Sequence, residues 1–207
     1  MKPLKNPQGW IGNDGASYAD GKDAVDEADV LSRIEALIQI VTVILAGSDT
    51  TRAALTIQTS LLMQHREQWD GLRGDPSLIP GAVLESLRYE PSVGSFPRFT
   101  LEDIEIDGCT VPRNCVLSMS MLSAMRDPAL YRDPDRFDIS RTDVPRRPVV
   151  FGAGAHRCLG ETLALLELEE TLAALAERLP KLELVGNAPT VEGSGGIRRV
   201  SEMHVRW

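Results

Sequence analysis

The chain has 207 residues, 43% of them hydrophobic and 25% charged, with a formal net charge of −8 and a pI near 5.0. That length and balance fit one globular domain with a sizeable core, which would bury roughly 70% of the unfolded surface. The acidic excess argues against nucleic acid and against an anionic membrane surface as partners, since both demand a basic face.

Along the chain, residues 1–28 are rich in Gly, Asn, Asp and Lys and lack periodicity, so they predict an irregular lead-in. The first residues, Met1-Lys2-Pro3-Leu4-Lys5-Asn6-Pro7, carry no apolar core of a signal peptide. A long helix is predicted from Asp29 to about Gln64, capped by Asp29 or Ser32. Ile34, Leu37, Ile38, Ile40, Val41, Val43, Ile44 and Leu45 surround the axis of its first half. A helix apolar all round belongs in an interior. The stretch Ile34 to Gly47 is interrupted by Glu35, Gln39 and Thr42 and falls short of the ~20 apolar residues of a membrane span, so a cytoplasmic location is expected.

A second helix is predicted from Leu78 to Tyr89, stopped by Glu90-Pro91. Short strands follow at Phe96 to Leu101, Ile104 to Ile106 and Val116 to Met119, then a short helix at Ser120 to Met125. Loops fill 127–148, a glycine-bearing loop runs from Gly152 to Gly160, and a helix with Leu165, Leu168, Leu172, Leu175 and Leu179 at helical spacing extends from Glu161 to Leu179. The tail, 181–207, reads as one or two strands with a Gly-Ser-Gly-Gly turn. The fold class is therefore mainly α with small β-sheets (α+β). The three cysteines, Cys109, Cys115 and Cys158, form no disulfide framework and suit a reducing compartment.

The densest chemistry lies in Phe151-Gly152-Ala153-Gly154-Ala155-His156-Arg157-Cys158-Leu159-Gly160. It sets a cysteine just before a helix N-terminus, where free N–H groups and the helix dipole favour an anion and hence the thiolate that metals require. Gly152 and Gly154 allow the backbone close to a large flat ligand. This string resembles the heme-binding signature of the cytochrome P-450 family, Phe-Gly-x-Gly-x-His-x-Cys-x-Gly, at every fixed position.

Other segments follow in the family's order. Ala46-Gly47-Ser48-Asp49-Thr50-Thr51 looks like its oxygen-activation motif; as an ordinary helix segment, Thr50 would instead bond back to its own backbone. Glu85-Ser86-Leu87-Arg88 resembles the Glu-x-x-Arg pair, and Asp133-Pro134-Asp135-Arg136-Phe137-Asp138 the loop whose arginine, Arg136, completes a buried network. Pro97-Arg98 resembles the strand whose arginine meets a heme propionate, with His156 as the second contact. Two positions depart from the pattern: Leu165, where many relatives carry arginine, and Val150, where a small residue usually precedes the phenylalanine.

The resemblance covers residues 29–207 and implies the C-terminal half of the fold: long central helix, cysteine-ligand loop and following helix. Typical members are about twice as long, so an N-terminal half is expected to be absent. The resemblance also implies heme b (iron protoporphyrin IX) with Cys158 as axial thiolate ligand. Phe151, Gly152, Ala46, Gly47, Arg98 and His156 would stand around it, and Thr50 and Asp49 would deliver protons to dioxygen. The implied reaction is monooxygenation of a small organic substrate in secondary metabolism, with electrons from a separate ferredoxin or flavin reductase. A homo-oligomer or a complementing N-terminal half would complete the fold. The alternatives are a non-catalytic auxiliary or binding descendant, and an inactive fragment.

Overall fold

The computed structural model describes residues 31–145 and 147–207. The expected lead-in over 1–28 and the cap at Asp29 lie outside the described residues. The chain divides into two compact units, Met1–Leu45 and Ala46–Trp207.

Helix α1 spans Arg33–Gln64. It starts at a capping box: the Ser32 amide donates to Glu35 Oε2 at 2.8 Å, and the Glu35 amide donates to Ser32 Oγ at 3.3 Å. In the first unit, Ile34, Leu37, Ile38, Ile40, Val41, Val43, Ile44 and Leu45 are all more than half exposed. The all-round apolar pattern called for burial, but the described residues of this unit hold little besides the helix itself, and among them none covers these side chains. By length and composition the whole of α1 reaches what a membrane crossing needs, beyond what its stretch from Ile34 to Gly47 suggests; core helices of soluble proteins meet the same test.

In the second unit the sequence of α1 narrows to one apolar stripe. Ala53, Ala54, Ile57, Leu61 and Leu62 are buried, at the spacing that returns to one helix face. Of these, Ala54, Ile57, Leu61 and Leu62 pack with Trp69 and Leu72 of α2 (Arg66–Gly74), Val83 and Leu87 of α3 (Ile79–Tyr89), and Leu168 and Leu172 of α5 (Glu161–Arg178) in one core. Each such side chain contributes about 1.5–3 kcal/mol by leaving water. Gln58 Nε2 ties α1 to the Leu168 carbonyl at 3.2 Å.

Helix α2 was not expected; its glycines Gly71 and Gly74 and sparse apolar residues hide it. Gln68 on α2 clamps the later loop, donating to the Phe137 carbonyl at 2.6 Å and accepting from the Ile139 amide at 2.8 Å. A 3-10 turn, Pro76–Leu78, capped by Asp75, leads into α3. Gly81 is required there by close approach, because a Cβ would sit 2.6 Å from the Ile139 carbonyl oxygen.

The strands form two-stranded antiparallel sheets. β1 (Ser95–Phe99) pairs with β4 (Val116–Ser120) with Pro97 opposite Ser118, and β2 (Ile104–Ile106) with β3 (Cys109–Val111). The short helix α4 (Met121–Ala124) follows β4, its N-cap Ser120 accepting from the Ser123 amide. In the tail, β5 (Glu183–Leu184) pairs with β8 (Val205–Arg206), and β6 (Val191–Glu192) with β7 (Arg199–Val200). The mainly helical class with small sheets is what the structure has.

Candidate functional site

Two short 3-10 turns, Val149–Phe151 and Gly154–His156, carry the cysteine loop up to α5. Gly152 (φ 78°) and Gly154 (φ 76°) take left-handed backbone that costs other residues strain. The loop closes on itself: the Cys158 amide donates to the Phe151 carbonyl at 2.9 Å, and the Gly152 amide to the Val149 carbonyl at 2.7 Å. Val150 is buried in the core and Phe151 and Leu165 pack against it, so both departures from the family pattern are absorbed by packing.

Arg157 fastens the loop to α5. Its guanidinium donates to Glu161 Oε2 at 2.6 Å and Oε1 at 2.5 Å, and also to the Gly152 carbonyl. The Arg157 hydrogen bond, against some burial cost and with help from Arg147, holds the Glu161 carboxyl below its ordinary range. Arg157 lies in extended backbone ahead of α5, so this pair follows from the path of the loop and not from helical spacing. With the inner side fixed in this way, Ala155, His156, Cys158 and Leu159 are all exposed, Leu159 at 93%. The exposed cysteine, three residues ahead of the first residue of α5, fits a sulfur ligand to a flat metal macrocycle.

The Glu-x-x-Arg pair is buried. Arg88 is 0% exposed, and its Nε and Nη2 donate to Glu85 at 2.6 and 2.9 Å. The remaining guanidinium hydrogens reach the carbonyls of Met125 (3.0 Å), Pro134 (2.8 Å) and Arg136 (3.1 Å). Glu85 Oε1 also accepts from the Asp138 amide at 2.8 Å.

The expected third member is corrected by the structure. Arg136 has a side chain 69% exposed and, among the described residues, pairs with Asp138 at 3.6 Å; it serves the network through its carbonyl. Arg141 takes the place, with its Nε 3.1 Å from Glu85 Oε2 and a side chain only 6% exposed. Burial would lower the Arg141 pKa, but Glu85 and Asp143 together raise it above the ordinary value. The loop 133–141 bends so that Arg136 projects outward while the later arginine turns inward, a direction that spacing alone does not encode.

On α1, the Thr50 hydroxyl donates back to the Ala46 carbonyl at 2.6 Å. Asp49 Oδ1 meets Arg52 at 2.6 Å and Oδ2 meets Arg199 at 3.2 Å. A Cβ at Gly47 would meet nothing within 4 Å, so open space borders the helix there. Arg98, exposed on β1, donates to the Pro97 carbonyl at 2.8 Å. The structure thus brings Glu85, Arg88 and Arg141 together, Cys158 with Phe151, and Arg157 with Gly152. A second charged cluster, buried Arg198 with the partly buried Glu90 and Arg126, went unseen in the sequence because its members are 108 positions apart at the extreme (198 minus 90).

The family model for cytochrome P-450 matches residues 77–184. The chain is 49% identical over 183 residues to the plant-inducible cytochrome P-450 pinF1 of Rhizobium radiobacter, covering 88% of this chain and 43% of that protein. It is 39% identical to the 20-oxo-5-O-mycaminosyltylactone 23-monooxygenase of Streptomyces fradiae, covering 86% of this chain and 42% of that one. Among solved structures, the P-450 heme domain of Tepidiphilus thermophilus superposes with a TM-score of 0.81 at 32% identity, over 87% of this chain and 43% of the other. The chain spans less than half the length of these relatives.

Proposed function

The chain belongs to the cytochrome P-450 family, and on that premise we propose that it supplies the thiolate-bearing part of a heme-thiolate monooxygenase. The observation that carries this reading is the cysteine loop: its inner side is tied down by Arg157 and by the Cys158 amide, while the Cys158 thiol faces out before α5. Cys158 would hold heme b through its Sγ, and the bound group would supply the reductive splitting of dioxygen that puts one oxygen atom into substrate and one into water. Arg98 and His156 would meet its propionates, and Phe151, Gly152, Ala46 and Gly47 would border its faces.

The chain's own residues then have distinct tasks. The loop presents exposed Cys158 just ahead of the N-terminus of α5. Thr50 Oγ1 keeps its own proton on the Ala46 carbonyl, which leaves the oxygen's lone pairs to receive an incoming donor. Asp49 would hold and pass a proton at its carboxylate as one of its two arginine contacts opens. Glu85, Arg88 and Arg141 keep the loop 133–141 in place.

The substrate is a small organic molecule, and a biosynthetic role in secondary metabolism is supported by the name of the Streptomyces fradiae relative. Two electrons would come from a separate ferredoxin or flavin reductase in the cytoplasm. The walls of the heme pocket beyond this chain's share would come from further polypeptide, a complementing N-terminal half or a second copy. The test is a reduced, carbon-monoxide-bound absorption spectrum of the chain reconstituted with heme. A thiolate-type Soret band that disappears in Cys158→Ala is expected; a band indifferent to that substitution sinks the reading.

A further inference from the structure

Arg198 is 6% exposed, and its guanidinium has partners at both Nε and Nη1. Nη1 lies 2.6 Å from Glu90 Oε2, Nε donates to the Gly193 carbonyl at 2.8 Å, and Nη1 also donates to the Pro91 carbonyl at 3.2 Å. Its backbone amide donates to the Ser92 carbonyl at 2.8 Å. The other oxygen of Glu90 takes Arg126 at 3.1 Å, and Arg126 in turn lies over the Tyr89 ring, 4.2 Å from its centroid. A buried cation with this many partners is held, because moving it strands a charge away from water.

Around that cluster, residues 193–197 are pressed onto 91–95. Val93 bridges Ile197, and the Gly94 amide donates to the Gly196 carbonyl at 2.9 Å. The approach leaves no slack: a Cβ on Gly94 would stand 2.7 Å from the Ser194 carbonyl oxygen. The next residue along, Arg199, opens β7 with its side chain 62% exposed and 3.2 Å from Asp49 Oδ2. Successive residues of an extended segment face opposite ways, so a buried Arg198 sends Arg199 outward. The β6–β7 ladder itself is only two residue pairs, Val191 with Val200 and Glu192 with Arg199, too short to fix the strand's direction. Asp49's other partner, Arg52, is local to α1, so Arg199 is its tertiary link.

We propose that Arg198 is a positioning residue: its buried ion pair with Glu90 fixes the start of β7 and thereby holds Arg199 against Asp49. The weight of Asp49 in catalysis rests on the heme-thiolate reading; the mechanical link does not. The link is therefore tested without heme, on the full chain with labelled aspartate, by following the Asp49 Cγ resonance, assigned through its loss in Asp49→Asn.

Arg199→Met displaces that resonance, Arg198→Met displaces it the same way, and Glu90→Gln does so to a lesser degree. Exchange of the Arg198 amide quickens by roughly tenfold in the last two variants. Exchange of the Asp138 amide, bonded to Glu85, stays unchanged and separates a local release from general loosening. If Arg198→Met does not fold, Glu90→Gln, which keeps the side chain's shape, decides the matter alone. A resonance that moves in Arg199→Met but stays at the wild-type position in the Arg198 and Glu90 variants overturns the proposal, as does one that Arg199→Met leaves in place. A chain that fails to give a thiolate band would overturn the heme reading and leave this result standing.

Discussion

Glu85 and Cys158 mark two opposite ways of building a site in the same core-bearing unit. Glu85 is 1% exposed and closed in by Arg88, Arg141 and the Asp138 amide, so its bonding is finished within the chain. Cys158 is exposed, while the backbone that carries it is pinned by Phe151 and by Arg157. A group whose task is to hold a loop saturates its partners internally. A group whose task is to meet a ligand is held from behind and presented outward. Perturbing the first should therefore be read in stability, and perturbing the second in ligation.

The largest stability loss is expected for Arg88→Ala, which strips Glu85 of its bidentate partner and takes the Arg88 donors from the Met125 and Pro134 carbonyls. Removing one side of a buried pair costs about 3–5 kcal/mol, seen as a lower urea midpoint. A midpoint near wild type would break the comparison. Arg141→Ala should cost about 2–3 kcal/mol and Arg136→Ala no more than about 0.5, in the same assay. The reverse order would restore Arg136 as the third member.

Glu161→Gln sharpens the view of the loop's inner fastening. The Arg157 bond holds the folded carboxyl below its ordinary pKa, so its stabilisation is present above the unfolded value and is lost as pH falls through the folded one. The variant should lose about 1–2 kcal/mol near neutral pH and show a flatter decline into acid, by thermal unfolding across pH. An equally steep decline would contradict the assigned cause. The smallest effect is expected for Cys158→Ala, whose unfolding midpoint should stay within about 0.5 kcal/mol of wild type, as for other exposed positions. A large destabilisation would make the cysteine a packing residue.

How much of this was legible follows from the range of the signals involved. Helix α5 and the end of α1 at Gln64 were readable because periodicity and breakers are local. Strand β3 was not, although Asp107 and Gly108 both take positive φ, 48° and 76°, the mark of a tight hairpin turn that pairs Ile106 with Cys109. There the turn was read as a separator when its chemistry predicted a partner strand. The cysteine loop was legible because ligand, glycines and helix start lie within ten residues. Arg141 and the Glu90–Arg198 pair were not, since which arginine turns inward is decided by the path of an irregular loop, or by elements more than a hundred residues apart.

Iron K-edge X-ray absorption on the heme-reconstituted chain asks about the sulfur itself. The account predicts a sulfur atom bonded to iron in the wild type and its loss in Cys158→Ala. Iron surrounded by nitrogen and oxygen alone in the wild type would contradict it.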